Sequence, residues 1–298
     1  MSAIINRRDL KIFKIPVTPD LMPKKAPFRY PSYSRDWGVE QDFLNFLDNS
    51  DFLTEDKVAA SHHYLPIFWT RYWVQKNYGQ NGVGELNLYL NTLKLDESKL
   101  FTICQYDDGP LVDLSFGKGL FLSSRKTEGL GRDIPLIASD LPRIWPKKRK
   151  IHLMSFAGRF HTHPIRMELK AVALKSNNVH IANRKLNPRR FTELLQQSFV
   201  VLCPRGYGGS SFRFYEAMQA GSVPCLIGDI DTRAFKSQIP WEKISFYFKT
   251  PGQAISAIEK IDTDLLEEMG SSAKDCYSEL LKLGRWNDLL INDLVLGF

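Results

Sequence analysis

Residues 199–228, FVVLCPRGYGGSSFRFYEAMQAGSVPCLIG, constrain the fold of this 298-residue chain more than any other stretch. An apolar run, Phe199-Val200-Val201-Leu202-Cys203, stops at Pro204, and the loop Arg205-Gly206-Tyr207-Gly208-Gly209 follows. A run that short before such breakers predicts a buried strand. Ser210 and Ser211 offer N-cap oxygens for a helix running to about Ala220, and Gly221 supplies a C-terminal stop. Residues 223–227 then read as the next strand. A strand, Gly-rich loop, helix and strand in that order bring loop amides and a helix N-terminus to one point, where they can hold an anion.

The remaining chain repeats the alternation. Residues 1–35 are rich in proline and basic residues and predict an extended arm. A helix is expected over 36–49 and another over 82–95, with strands over 57–67, 99–106, 120–123 and 134–138. Residues 140–150, DLPRIWPKKRK, break the pattern with two prolines and five basic side chains, and mark a domain boundary. Beyond them, strands are expected at 151–156, 179–182 and 244–248, and helices at 165–176, 188–197, 251–260 and 264–283. This periodicity predicts two α/β domains, 1–148 and 149–284, with a helix over 285–298 packing back on the first. Ligands of such sheets sit at the C-terminal ends of the strands.

Charge and cysteines bound the function. Lys plus Arg number 40 against 33 Asp plus Glu, a net charge of +7, which suits a phosphate-bearing ligand without requiring one. The four cysteines form no C-x-x-C pair, so zinc and redox motifs are not supported, and a reducing compartment is favoured. The basic run at 140–150 is short, broken by proline and flanked only by Trp145, which argues against nucleic acid. No apolar run reaches the ~18 residues of a membrane span, and the N-terminus lacks a signal h-region. The expectation is a soluble cytoplasmic protein without a membrane span, its oligomeric state open.

Several motifs together resemble the exostosin family of glycosyltransferases. They are the strand from Ser198 through Pro204 to Gly206, then Ser211-Phe212-Arg213-Phe214-Tyr215-Glu216-Ala217, Gly221-Ser222-Val223-Pro224, and Trp241 after an apolar stretch. Phe156-Ala157-Gly158 resembles the family's Phe-x-Gly element. Departures are Cys225 for the usual Val, Ser61-His62-His63 for an acidic residue, and Tyr106-Asp107 where His-Asp is usual. The match runs from about residue 33 to 248 and is tighter in the second half. The resemblance implies a GT-B fold, with two Rossmann-like domains facing across a cleft and the donor on the C-terminal one. It also implies an inverting transferase that moves a sugar from a UDP-sugar to a glycan hydroxyl. No cofactor or metal ion is expected, the UDP-sugar being a co-substrate. Eukaryotic relatives are usually Golgi-anchored, so a chain without an anchor is expected to be a bacterial or large-virus relative.

The departing diphosphate must then be stabilised by cationic side chains, amides and a helix dipole. Arg205, Gly206, Ser210, Ser211 and Arg213 gather those groups, and Arg159 adds another cation from the loop after the first strand of the same half. Arg213 and Glu216 are three apart and share a helix face. They read either as a surface ion pair or, as the resemblance implies, with Glu216 accepting the ribose hydroxyls. Tyr207 or Phe160 could stack on uracil or belong to the core. Asp107 and Asp108, ending a predicted strand, are the candidates for the base that deprotonates the acceptor, and an Asp-Gly-Pro turn explains them equally. His62 and His63 fall on opposite faces of a strand and fit satisfied core positions better than a base. His161 and His163 lack further ligands for a zinc site and could contact donor or acceptor. The loose first-half motifs leave a second reading open, a non-catalytic glycan-binding or scaffold protein of the same fold.

Overall fold

The structure of the protein is a computed structural model that describes residues 6–24, 38–137, 139–182 and 185–297. The chain forms two compact units, Met1–Pro135 with Leu283–Phe298, and Leu136–Lys282.

The first unit is built on β1 (Ile12–Lys14), β2 (Leu53–Thr54), β3 (His62–Tyr64), β4 (Leu100–Cys104), β5 (Leu120–Leu122) and β6 (Arg132–Asp133). They pair in the order β2-β1-β3-β4-β5-β6, and every pairing is parallel. Helices α1 (Gly38–Asp48), α2 (Trp69–Gln75) and α3 (Val83–Thr92) connect the early strands. The core gathers Leu65, Trp69, Trp73, Leu86, Leu100 and Leu122.

Three expectations need correction here. The arm over 1–35 is not merely extended, because Ile12–Lys14 is an inner strand paired with both β2 and β3. Its three residues are too few to show alternation, and only the two neighbours make them a strand. The parts of the arm at 1–5 and 25–35, and the start of the helix expected from 36, lie outside the described residues. The strand expected over 57–67 shortens to β3, and α2 follows it. The strand expected over 134–138 sits earlier, at β6, with Ala138 outside the described residues.

The second unit runs β7 (His152–Phe156), α4 (Pro164–Ala173), β8 (Val179–Ile181), α5 (Pro188–Gln196), β9 (Ser198–Pro204), α6 (Phe212–Ala220), β10 (Val223–Ile227), α7 (Trp241–Ile244), β11 (Phe246–Phe248), α8 (Pro251–Ile258) and α9 (Thr263–Cys276). A π-helical segment, Tyr277–Leu281, continues α9. The sheet order is β11-β10-β9-β7-β8, again all parallel. Local chemistry sets many of these boundaries. Asn187 and Thr250 cap α5 and α8, each followed by proline at the first helical position. Gly221 ends α6 at φ +75°, the left-handed conformation a helix stop requires.

The tail returns to the first unit as α10 (Asn287–Val295). One Asp42 carboxylate oxygen accepts from Gly284 N, Trp286 Nε1 and Asn287 Nδ2 at 2.9, 2.8 and 3.0 Å. Trp286 is fully buried against Phe43.

Counted within each unit, the two sheets share one strand order. The strand that comes first in sequence lies between the second and the third, and later strands extend outward from the third. This is the doubly wound pattern, so the expected pair of Rossmann-like α/β units is present. In the second unit the order reverses between β7 and β9, and ligands of such sheets bind beyond the strand ends at that reversal.

Candidate functional site

The loops that leave β7 and β9 meet at this reversal. Both strands are buried at their C-terminal ends, where Phe156, Leu202 and Cys203 are inaccessible to solvent. The chain leaves the sheet at Ala157 and at Arg205, and the loops become exposed only beyond them, at Gly158 and Tyr207.

Arg166, in the first turn of α4, fastens the two loops together. Its Nε donates to Arg205 O at 2.9 Å, one terminal nitrogen to Arg159 O at 3.0 Å and the other to Pro204 O at 3.1 Å. The guanidinium also lies 5.9 Å from the Phe156 ring centroid. A planar fork with five donors suits three carbonyls better than an ammonium would. Gly206 leaves space for it, since a Cβ there would sit 3.3 Å from Arg166 Nη2. Sequence reasoning missed this residue, because one arginine in an amphipathic helix looks like any surface cation.

Arg213 approaches the same place from the first turn of α6. Its guanidinium stands 5.7 Å from the Phe156 centroid and 5.1 Å from that of Phe191. Gly158 admits it: an added Cβ would fall 2.7 Å from Arg213 Nη1 and 2.9 Å from Phe156 Cζ. A cation above two ring faces is held there by their quadrupoles.

Arg205 has a different setting. Its side chain is buried, pairs with the exposed Asp229 and donates to Tyr207 O at 3.4 Å. Burial would raise the Asp229 pKa, but the hydrogen bond and charge of Arg205 outweigh it and hold the carboxyl below its usual range. Part of Arg205 is thus committed to shaping its own loop. Arg159 is exposed, and its carbonyl is the one that Arg166 holds. Tyr207 is 64% exposed on the loop tip, whereas Phe160 packs at 5.3 Å on Phe156 with Lys170 over its ring, which favours the core reading for Phe160.

Ser210 and Ser211 are buried where the loop enters α6. Ser211 occupies the N-cap position as expected, but its side chain makes no capping hydrogen bond. Thr162 Oγ1, in the loop after β7, is buried with no hydrogen bond, a polar group that the sequence reading passed over. His163 caps α4, its Nδ1 accepting from Ile165 N at 3.3 Å, and its pKa is lowered by burial and by Arg205.

Glu216 lies one turn further into α6 and is 1% exposed. Burial pushes its carboxyl up to about 8, so it is protonated at neutral pH. The structure therefore brings together Arg159, Arg205, Gly206, Tyr207, Ser210, Ser211 and Arg213, with Glu216 behind them in the helix.

Asp107 and Asp108 belong to the first unit. They follow β4 in a turn closed by Gly109 N donating to Tyr106 O at 3.0 Å, with Gly109 at φ +75°. Asp108 is exposed and ion-paired with Lys126. The turn and the exposed carboxylate coexist, so neither reading of this pair displaces the other. His62 and His63 are buried in β3 beside Ser61 Oγ and Lys57 O, as satisfied core histidines would be.

A carboxylate that sequence reasoning did not single out is Glu40, 1% exposed in α1. It accepts from Gln105 N at 2.8 Å, Thr70 N at 3.2 Å and Thr70 Oγ1 at 3.1 Å, tying α1 to α2 and to the end of β4. Burial raises it to about 7 despite those donors. Among the described residues, no group of three or more His, Cys, Asp or Glu is placed to hold a metal ion, and no helix is long and apolar enough to cross a membrane.

Sequence comparison with known proteins points the same way as the motifs. Exostosin-1 of Drosophila melanogaster is 36% identical over 74 residues, which is 25% of this chain and 10% of that protein. A probable glucuronosyltransferase GUT1 of Oryza sativa subsp. japonica is 34% identical over 61 residues, 20% of this chain and 15% of that protein. The matched part is thus a small share of either relative's length. Among solved structures, AviGT4, a glycosyltransferase involved in avilamycin A biosynthesis, covers 97% of this chain, and the chain covers 99% of it, at 13% identity and a TM-score of 0.37. Residues 133–261, which hold the β7 and β9 loops and α6, match the Exostosin GT47 domain, the family whose motifs this sequence resembles.

Proposed function

We propose that this protein is an inverting glycosyltransferase that moves a sugar from a UDP-sugar to a hydroxyl of a glycan acceptor without a metal ion. The observation that carries the reading is the Arg213 guanidinium, held over Phe156 and Phe191 at the strand-order reversal of the second unit. It stands beside a loop whose amides open α6. A diphosphate leaving group gains negative charge as the anomeric bond breaks, and a fixed cation with preoriented amides stabilises that charge without reorganising. In this reading Arg213 and Arg159 supply side-chain charge. Gly206, Ser210 and Ser211 supply donors, and Arg205, anchored on Asp229, shapes the loop. Tyr207 is the stacking partner for uracil. Glu216 binds the ribose, and as a protonated acid it both donates and accepts a hydrogen bond. Inversion requires a base for the acceptor hydroxyl, and Asp107 or Asp108 fills that role.

The test is thermal unfolding with millimolar UDP. A ligand at 100 times its Kd stabilises the fold by about 2.7 kcal/mol, a shift of several degrees. Arg213→Ala and Glu216→Ala each remove the shift. Absence of any UDP effect on the unaltered protein sinks the donor-site assignment. UDP release from a panel of UDP-sugars, with and without EDTA, reports turnover and its metal independence. If Asp107→Asn and Asp108→Asn both leave turnover intact, the base lies elsewhere. A UDP shift without turnover on any donor supports instead the non-catalytic glycan-binding reading.

A further inference from the structure

The loop after β4 does more than carry two aspartates, because it walls a cavity of about 510 Å³ within the first unit. Asp108 stands on its lining beside Val83, Leu111, Val112, Leu114, Phe116 and Leu130. We propose that this cavity binds the apolar ring body of a hydroxyl-bearing small molecule, with the polar end of the ligand at Asp108. On the glycosyltransferase reading, on which this part rests, the ligand is an acceptor with an apolar ring aglycone, one ring beyond the sugar.

Three observations support that occupant. The volume lies within the ~300–1,000 Å³ of small-molecule pockets, and walls of that kind with few polar groups are what such pockets use. The walls are also fixed in advance. Trp73 Nε1 donates to Pro110 O at 2.9 Å, and Tyr106 OH donates to Tyr78 O at 3.0 Å. Asn87 and Asp113 bond reciprocally, Asn87 Nδ2 to Asp113 Oδ2 at 2.8 Å and Asp113 N to Asn87 Oδ1 at 2.9 Å. A wall that is already ordered costs a ligand little entropy on binding.

The third observation is backbone strain gathered at one place. Leu111 has φ +53°, Tyr78 φ +57° and Asn77 φ +52°, conformations that favour glycine, while Gly79 and Gly109 lie at +80° and +75°. Leu111 can point where it does only because residue 79 is glycine, since a Cβ there would fall 2.4 Å from Leu111 Cδ1. Strained backbone persists where the surroundings over-determine it, and it clusters at binding and active sites.

The test is equilibrium binding by titration calorimetry with no donor present, comparing phenyl β-D-glucoside with methyl β-D-glucoside. The sugar is shared, so the difference reports the aglycone alone. The aglycone-bearing glucoside is expected to bind about tenfold tighter or more, as burial of one ring implies. Leu130→Arg, at a rim position already 37% exposed, and Leu114→Arg each bring that ratio to about one. The UDP-dependent shift of both variants should match the parent protein, and Leu130→Arg should keep its melting temperature, while Leu114→Arg, whose side chain packs on the core of the unit, lowers it. Equal binding of the two glucosides, no binding of either, or a preference that survives both substitutions overturns the proposal. The measurement uses neither donor nor turnover, so the donor-site reading stands or falls separately.

Discussion

The substitution Gly158→Ala tests whether the candidate site works through the position of Arg213. Gly158 is not among the glycines with positive φ, so alanine brings no backbone strain. Its effect is confined to the new methyl group, which would lie 2.7 Å from Arg213 Nη1 and 2.9 Å from Phe156 Cζ, where ordinary contact begins at 3.4 Å. The guanidinium must therefore withdraw by roughly 0.7 Å and the ring must yield by roughly 0.5 Å. The tip of a flexible side chain moves cheaply, while a buried ring does so at the ~1–3 kcal/mol typical of overpacking. Part of a cation–π attraction worth about 0.5–2 kcal/mol is lost as well. The expected outcome is a folded variant, destabilised by about 1–3 kcal/mol in urea unfolding, with UDP affinity about tenfold weaker by calorimetry. The decisive comparison is with Arg213→Ala and with the double variant. If Gly158 acts by admitting Arg213, the double variant binds UDP no worse than Arg213→Ala alone. Strictly additive losses, or unchanged UDP affinity in Gly158→Ala, would refute the reasoning.

Three further outcomes are expected. Glu216 keeps its proton up to about pH 8 in the folded protein, against an ordinary value of 4.5. The unfolded chain therefore releases that proton first, and the stability it contributes is complete below pH 4.5 and lost as pH rises toward 8. At about 1.4 kcal/mol per pH unit the ceiling is roughly 5 kcal/mol, so denaturation from pH 5 to 9 should show Glu216→Gln gaining on the parent protein, and parallel curves would refute the buried protonated acid. Arg166→Met leaves three loop carbonyls without their donor, for an expected loss on the order of 3 kcal/mol in urea unfolding together with the UDP shift. Asp42→Ala removes the acceptor shared by Gly284, Trp286 and Asn287. It should cost about 2–4 kcal/mol and expose the tail to proteolysis ahead of the rest of the chain.

Much of the second unit could be read from sequence because its signals are local. The run 198–204, the glycines after it and the helix from Phe212 to Gly221 each carry their own instruction within a few residues, and the structure places strand, loop and helix as expected. The first unit is less legible for the same physical reason. Its strands are two to five residues long, too short for a period of two to register. Ile12–Lys14 became an inner strand only because Leu53–Thr54 and His62–Tyr64 flank it.

What the sequence alone determined is the order of elements, the loop that concentrates cationic and amide donors, and the types of residue in it. What only the tertiary structure decided is which of those residues serve the loop and which face outward. Arg205, Arg166 and Arg213 are equivalent cations in a sequence. In the fold the first binds Asp229, the second ties three carbonyls together, and the third lies over two aromatic rings. Glu216 likewise reads as a charged partner three residues from Arg213, and burial makes it a neutral acid. Charge and hydrogen-bonding capacity are properties of a residue, but desolvation and the identity of its partners arise only when distant segments pack together.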